Sequence, residues 1–551
     1  MNRKSYSLVV LCVFCASLGI SYGTSQGAEN LARGQSACEA LMWTRNLTIT
    51  LAQVVEAADS TPRYCYVKGV ISPAISYHVQ LPLPENWNGR FVKWGDGGKD
   101  GDLDFADHRV AQGYAVANSN TGHDSGTEPR ASFGFNNRPA EIDFGYRAIH
   151  LTVNAARTLI EAYYQRPPGY SYFEGCSTGG RQGLMEAQRY PYDFDGIIAG
   201  APVNYYQELN TTHVFNLQGV FRDDLAGNLA YDIDGDGTPE SLTKINMLRN
   251  KVLAKCDAND GIVDGVVDDP LSCDFDPDLD LATVMCSGDV NADECLTRAQ
   301  LQTIKNLYRG SYDSKGVTIF KGKPLGSEFS WSFSVIPHKG NSMAPARMFT
   351  SGDHVNYLFY ETDPGITPPN LSDLSHNPDK TRVIPEWAWW EFNIDDVTAG
   401  AGDFMKTITN ATETDMSRFL LDNDGKLLLY HGWGDADAHP EPTLDYYKEV
   451  VRDTFSGDLE LAKNHTRLFM APGMAHCGGG PGPNDWDKLA PLVDWVENGN
   501  LPDYVVATHK TDGVVDNERR VCAYPQQATY VGPAGGQNNR ANWVESNFAC
   551  R

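Results

Sequence analysis

Positive charge is scarce in this chain: 551 residues hold 45 lysines and arginines against 71 aspartates and glutamates, a formal charge of -26. So negative a surface repels nucleic acid and polyanionic substrates, and nucleic acid is not an expected partner. Neutral glycans and small aromatic esters are compatible with it. Beyond the first residues there is no run of about 18 apolar residues, so no membrane span is expected. Cys-x-x-Cys is missing too, which argues against a zinc site. Repeats and low-complexity tracts are absent. Disorder is excluded by composition, because 41% hydrophobic and 11% aromatic residues are enough to build a core. A chain this long implies two or more domains, or one core with a large insertion.

The amino terminus reads as a secretory signal over residues 1–23. Arg3 and Lys4 precede an apolar run over 8–20 and small residues around Ser21-Tyr22-Gly23. Leu11 before Cys12 and Phe14 before Cys15 are not the small residues a lipoprotein anchor wants, so a released protein, secreted or periplasmic, is expected. Cleavage leaves ten cysteines, an even number that in an exported protein argues for disulfides. Proximity suggests Cys38 with Cys65, Cys256 with Cys273, Cys286 with Cys295, and Cys522 with Cys550, leaving Cys176 and Cys477. Ten cysteines allow many other pairings, and spacing does not choose among them.

What is present centres on Gly175-Cys176-Ser177-Thr178-Gly179-Gly180 and a distant His476-Cys477. Gly-x-Ser-x-Gly is the pattern of a strand turning sharply into a helix with the serine exposed on the bend. If Ser177 and His476 meet as nucleophile and base, their cysteine neighbours fall within the roughly 4.4 to 6.8 Å Cα separation of a disulfide. Short apolar or β-branched runs at 90–94, 114–118, 170–175, 194–199, 426–430 and 466–470 read as strands, and 146–164 and 180–190 as helices. Their alternation predicts an α/β fold with a parallel sheet and functional loops at the strands' carboxyl ends. Residues 205–425 break the pattern with Asp-rich loops, four cysteines and aromatics including Trp331, Phe333, Trp387, Trp389 and Trp390. They read as a lid domain inserted between core segments 24–204 and 426–551.

Chain order Ser177, Asp435, His476 is that of the α/β-hydrolases. A serine hydroxyl is a weak nucleophile that needs an imidazole to take its proton, and the imidazole needs a carboxylate to hold its tautomer. Asp435 ends Tyr430-His431-Gly432-Trp433-Gly434 and is best placed for this, with Asp437 its competitor. Acyl transfer also needs donors for the carbonyl oxygen that becomes negative. Thr178 N–H and a glycine of Gly95-Asp96-Gly97-Gly98, taken as Gly98, are the candidates. A second cluster, Cys256-Asp257-Ala258-Asn259-Asp260-Gly261-Ile262-Val263-Asp264-Gly265-Val266, sets carboxylates around two glycines. Asp257, Asp260 and Asp264 with carbonyls of Ile262 and Val266 suit a structural calcium ion. Asp232-Ile233-Asp234-Gly235-Asp236-Gly237 resembles the front of an EF-hand loop, but Thr243 stands where glutamate belongs, favouring a turn.

These residues resemble the tannase and feruloyl esterase family, which includes the mono(2-hydroxyethyl) terephthalate hydrolases of plastic-degrading bacteria. The motifs are the elbow from Gly175 to Arg181, Gly196-Ile197-Ile198-Ala199-Gly200-Ala201-Pro202, the acidic loop, Tyr430-His431-Gly432 leading to Asp435, and Pro472-Gly473-Met474-Ala475-His476-Cys477. The resemblance implies an α/β-hydrolase core with a calcium-bearing lid, a serine esterase mechanism, and the five disulfides in the pairing above. It carries Ser177, Asp435 and His476 over as the triad, and Asp257, Asp260, Ile262, Asp264 and Val266 as calcium ligands. Asp96 and Lys99 depart from the family's glycine run. In the terephthalate enzymes a lid arginine grips the substrate carboxylate, and Arg347 is the candidate here. The expected activity is hydrolysis of aromatic-acid esters, a small ester or a feruloylated plant polysaccharide, with ferulate ahead of gallate. Tannase and terephthalate monoester hydrolase are the alternatives, and a non-catalytic glycan-binding protein the remote one. The sequence carries no signal for an oligomeric state.

Overall fold

The computed structural model describes residues 35–364 and 389–551. The signal segment 1–23 and Trp387 lie outside them. Among the described residues, one sheet runs in the order β1 (Thr48–Val55), β2 (Tyr64–Ile71), β3 (Ile75–Pro82), β5 (Ala115–Ser119), β4 (Arg90–Trp94), β6 (Tyr170–Cys176), β7 (Gly196–Gly200), β10 (Lys426–Gly432) and β11 (Thr466–Ala471). From β5 to β11 every neighbour is parallel. The inversion of β4 and β5 in that order, with helices between strands, is the α/β-hydrolase arrangement.

The strands read as near-continuous apolar runs because both faces of the sheet are covered. β5 and β7 are buried at every position. Leu427 and Leu429 share one apolar cluster with α1 (Ala148–Tyr164), α2 (Thr178–Arg189) and α6 (Pro440–Phe455), through residues such as Val153, Leu184 and Val450. Leu428 and Tyr430 point the other way, to Leu489, Leu492 and Trp495 of α7 (Leu489–Asn498).

The sheet is mixed, where strand–helix alternation had implied a parallel one. β1, β2 and β3 pair antiparallel, and β3 joins β5 antiparallel. The link from Ile71 to Ile75 is too short for the crossover a parallel pair requires.

Between β7 and β10 the chain leaves the sheet and builds α3 (Tyr206–Leu225), α4 (Thr243–Cys256), the hairpin β8 (Gly310–Tyr312) and β9 (Thr318–Lys321), and α5 (Ala346–Tyr357). This stretch has its own apolar cluster, in which Trp331 and Trp389 are buried; Phe333 is exposed. Its Phe320, Tyr357 and Leu358 pack in a further cluster that touches Cys176 and Cys477. The carboxyl-terminal part adds the antiparallel pairs β12 (Tyr504–Thr511) with β13 (Val514–Cys522), and β14 (Ala528–Tyr530) with β15 (Phe548–Cys550). Disulfides join Cys38 to Cys65, Cys176 to Cys477, Cys256 to Cys273, Cys286 to Cys295, and Cys522 to Cys550. No helix among the described residues is long and apolar enough to cross a membrane.

Candidate active site

Strand β6 runs straight into α2 through Ser177, whose φ of 63° and ψ of -123° leave the ordinary regions for an L-residue. Such a bend survives only where its surroundings impose it. Here they do so by backbone contact: a Cβ on Gly175 would come within 2.7 Å of the Gly179 carbonyl, and one on Gly179 within 2.8 Å of the Asp96 oxygen. The glycines therefore let three backbones touch, and the loop after β4 is pressed against the start of α2.

Ser177 Oγ lies 2.8 Å from His476 Nε2, and His476 Nδ1 lies 2.7 Å from Asp435 Oδ2. A carboxylate only accepts, so Nδ1 carries the proton and Nε2 presents its lone pair to the hydroxyl. Asp435 is fully buried, and its Oδ1 accepts from the N–H groups of Asp437 and Ala438 at 2.7 and 2.9 Å. Burial opposes its charge, but His476 and His431 outweigh it and hold this carboxyl well below the usual range. Burial likewise disfavours a charged His476, yet the facing Asp435 wins and raises its proton affinity above the ordinary 6.5. The competing carboxylate, Asp437, turns instead to Arg347, 3.0 Å from its Nε.

Cys176 and Cys477 flank the pair with Cα atoms 5.9 Å apart. The bond ties the end of β6 to the loop after β11, and so couples the serine's position to the histidine's.

Thr178 is buried, and its hydroxyl donates to the Gly98 carbonyl at 2.7 Å, linking the two candidate oxyanion elements. The departures from the glycine run tie this loop to its neighbours. Asp96 is buried, accepts from the Asn118 amide, and lies 3.8 Å from Lys93 Nζ. Its backbone N–H donates to Gln182 of α2 at 3.1 Å. Lys99 Nζ donates to the Tyr206 hydroxyl at 2.7 Å, and burial pulls its proton affinity down to about 7.

In the acidic loop, Gly261 and Gly265 take φ values of 89° and 82°, which favour glycine and curl the chain back on itself. Asp257 accepts from the N–H groups of Asp264 and Gly265, both at 3.0 Å, and Asp260 from Ile262 at 3.0 Å. Arg519 of β13 enters from the carboxyl-terminal part with its side chain 1% exposed, 2.9 Å from both Asp260 and Asp268 and 3.8 Å from Asp264. One guanidinium does not balance these carboxylates. Burial, then repulsion from Asp260 and Asp257 against the pull of Arg519, raises Asp264 to about 6. Burial against the pull of Arg519, with repulsion from Asp260 and Asp264, raises Asp268 to about 7. Surplus negative charge and an all-oxygen donor set fit a hard divalent cation such as calcium. The Asp232 loop folds as a turn whose carboxylate caps the N–H groups of Gly235 and Gly237 at 2.7 and 2.8 Å.

Residues 60–545 match the model of the family described as tannase and feruloyl esterase. The chain belongs to that family. It is 30% identical to the mono(2-hydroxyethyl) terephthalate hydrolase of Piscinibacter sakaiensis, over 94% of this chain and 92% of that one. It is 31% identical to a probable feruloyl esterase B-1 of Aspergillus fumigatus, over 86% and 84%. The crystal structure of feruloyl esterase B from Aspergillus oryzae shares its fold, with a TM-score of 0.75 at 24% identity over 94% of this chain and 100% of that one. The chain is thus a carboxylic ester hydrolase of the feruloyl esterase and tannase type.

Sequence reasoning brought Ser177, Asp435 and His476 to the same place as the fold does, but it missed two partners. Arg519 stands 259 positions from Asp260 with no local motif around it. His431 was visible only as part of Tyr430-His431-Gly432, yet its ring touches Asp435.

Proposed function

We propose that this protein hydrolyses esters of aromatic acids outside the cytoplasm, with a hydroxycinnamate such as ferulate ahead of gallate. The observation that carries this reading is the unbroken relay from Ser177 through His476 to Asp435. Ser177 Oγ attacks the ester carbonyl while His476 Nε2 takes its proton, and Asp435 stabilises the resulting imidazolium. Thr178 and Gly98 N–H groups stabilise the oxyanion, worth about 2.7 to 4 kcal/mol for one such donor. His476 then protonates the departing alcohol, and water repeats the sequence on the acyl-enzyme. Relatives named as feruloyl esterases support the acyl group. Arg347 counts against a terephthalate monoester, because Asp437 already compensates its charge. Parallel kinetics on methyl ferulate, methyl gallate and mono(2-hydroxyethyl) terephthalate test the order, with kcat/KM highest for ferulate. A gallate preference makes the enzyme a tannase and sinks the ferulate assignment.

In this reading calcium is structural. Asp257, Asp260 and Asp264, with the Ile262 and Val266 carbonyls, hold the ion, which neutralises their surplus charge and takes no part in the chemistry. At 100 to 1,000 times its dissociation constant, a ligand of the native state adds about 2.7 to 4.1 kcal/mol. EDTA is therefore expected to lower the Tm, calcium to restore it, and Asp264→Ala to erase the difference. A Tm indifferent to EDTA, with no calcium found by elemental analysis, would count decisively against the ion.

A further inference from the structure

Asp435 serves two imidazoles. Its Oδ2, besides taking the His476 N–H, lies 3.1 Å from Nε2 of His431, four residues earlier on β10 and fully buried. Since the carboxylate only accepts, His431 Nε2 carries the proton. The other nitrogen, Nδ1, lies 2.9 Å from the Thr443 hydroxyl of α6, which donates to it and locks that tautomer. Each oxygen of Asp435 thereby has two donors: backbone N–H groups on Oδ1, imidazoles on Oδ2.

We propose that His431 is a positioning residue that divides the charge of Asp435, holding the carboxylate toward His476 while limiting how strongly it raises the basicity of that imidazole. This rests on the reading of Ser177, His476 and Asp435 as the triad. His431 suits the task because its contacts fit a neutral ring, with Nε2 donating to the carboxylate and Nδ1 accepting from the Thr443 hydroxyl. Burial lowers its proton affinity, and the hydrogen bond it donates to Asp435 does not make up the difference. A neutral donor satisfies Oδ2 without repelling the imidazolium that forms on His476 at each turnover. The other charged or titratable groups acting on this cluster are Asp437, Arg347, Lys323, His213 and His439. None of them is hydrogen-bonded to Oδ2 of Asp435 among the contacts described.

His476 must be neutral to accept the serine proton, so kcat/KM falls as pH drops through its raised pKa. Without a donor at position 431 the whole charge of Oδ2 faces His476, imidazolium is further stabilised, and this acid limb moves to higher pH. His431→Leu is expected to shift the limb up by about half to one pH unit and lower kcat about tenfold. His431→Gln, whose amide nitrogen reaches the place of Nε2, keeps the wild-type limb. Thr443→Val, which frees the tautomer, shifts it in the same direction by less. A merely structural role would lower the Tm of these variants and leave the limb in place. If the limb stays put in both His431→Leu and Thr443→Val, the proposal is overturned. Should His431→Leu not fold, Thr443→Val against His431→Gln decides alone: a moved limb in the first and a wild-type limb in the second support the proposal, and identical limbs overturn it. Turnover that survives Ser177→Ala overturns the triad reading instead.

Discussion

Ser177→Ala removes ester hydrolysis almost entirely, with kcat on methyl ferulate expected to fall about 10⁶-fold, as when the serine of such a relay is lost elsewhere. The fold should not change. Only one oxygen goes, and Ser177 makes its structural contacts through the backbone: its N–H donates to the Gly200 carbonyl at 2.9 Å, and its carbonyl accepts from Arg181 at 3.0 Å. The bend is dictated by the glycines around it, so it persists. What disappears is the nucleophile that His476 faces at 2.8 Å. The checks are single-turnover kinetics, a melting curve superimposable on wild type, and a fluorophosphonate probe that labels the native enzyme but not the variant. Hydrolysis within tenfold of wild type would refute Ser177 as the nucleophile and with it the triad mechanism.

The second large effect follows from the disulfide. Cys176→Ala with Cys477→Ala cuts a link across a sequence separation of 301 residues. Removing a native disulfide typically costs about 2 to 5 kcal/mol, with longer loops toward the upper end of the chain-entropy estimate. Catalysis suffers for a separate reason: His476 hangs on a loop, 24% exposed at its side chain, and is held to Ser177 through its neighbour's sulfur. A displacement of about 1 Å at a reacting group costs about a hundredfold in rate. The double variant is therefore expected to lose Tm and about two decades of kcat together. Full activity and unchanged heat resistance would mean that β6 and the loop after β11 are held in register by packing alone.

Particular elements explain how far the sequence could be read. β4 was legible to the residue, because Arg90–Trp94 is a short apolar run closed by glycine. β10 and β11 were found with their ends one or two residues short, since a hydrophobic run fades gradually where a strand meets its loop. The antiparallel strands β1 to β3 were not anticipated. β1 is a largely exposed edge strand, β2 roughly alternates and β3 is nearly all buried, and none has a functional loop to mark it. Contacts across hundreds of residues, such as Arg519 on Asp260, had no local signature at all.

The sequence by itself determined the chemistry available: which serine, histidine and carboxylate occur in hydrolase order, which cysteines adjoin them, and which acidic loop carries the glycines for a tight curl. Residue type and short-range spacing are enough for that, because nucleophile elbows and oxygen-ligand loops are built within a few residues. Only the tertiary structure decided who shares a partner: that Asp437 belongs to Arg347, that Arg519 enters the acidic loop, and that Asp435 answers to two imidazoles at once. Arg347, Arg519 and His476 reach their carboxylates because the sheet and the residues inserted between β7 and β10 bring distant segments together, while His431, only four residues from Asp435, reaches it through the turn that follows β10.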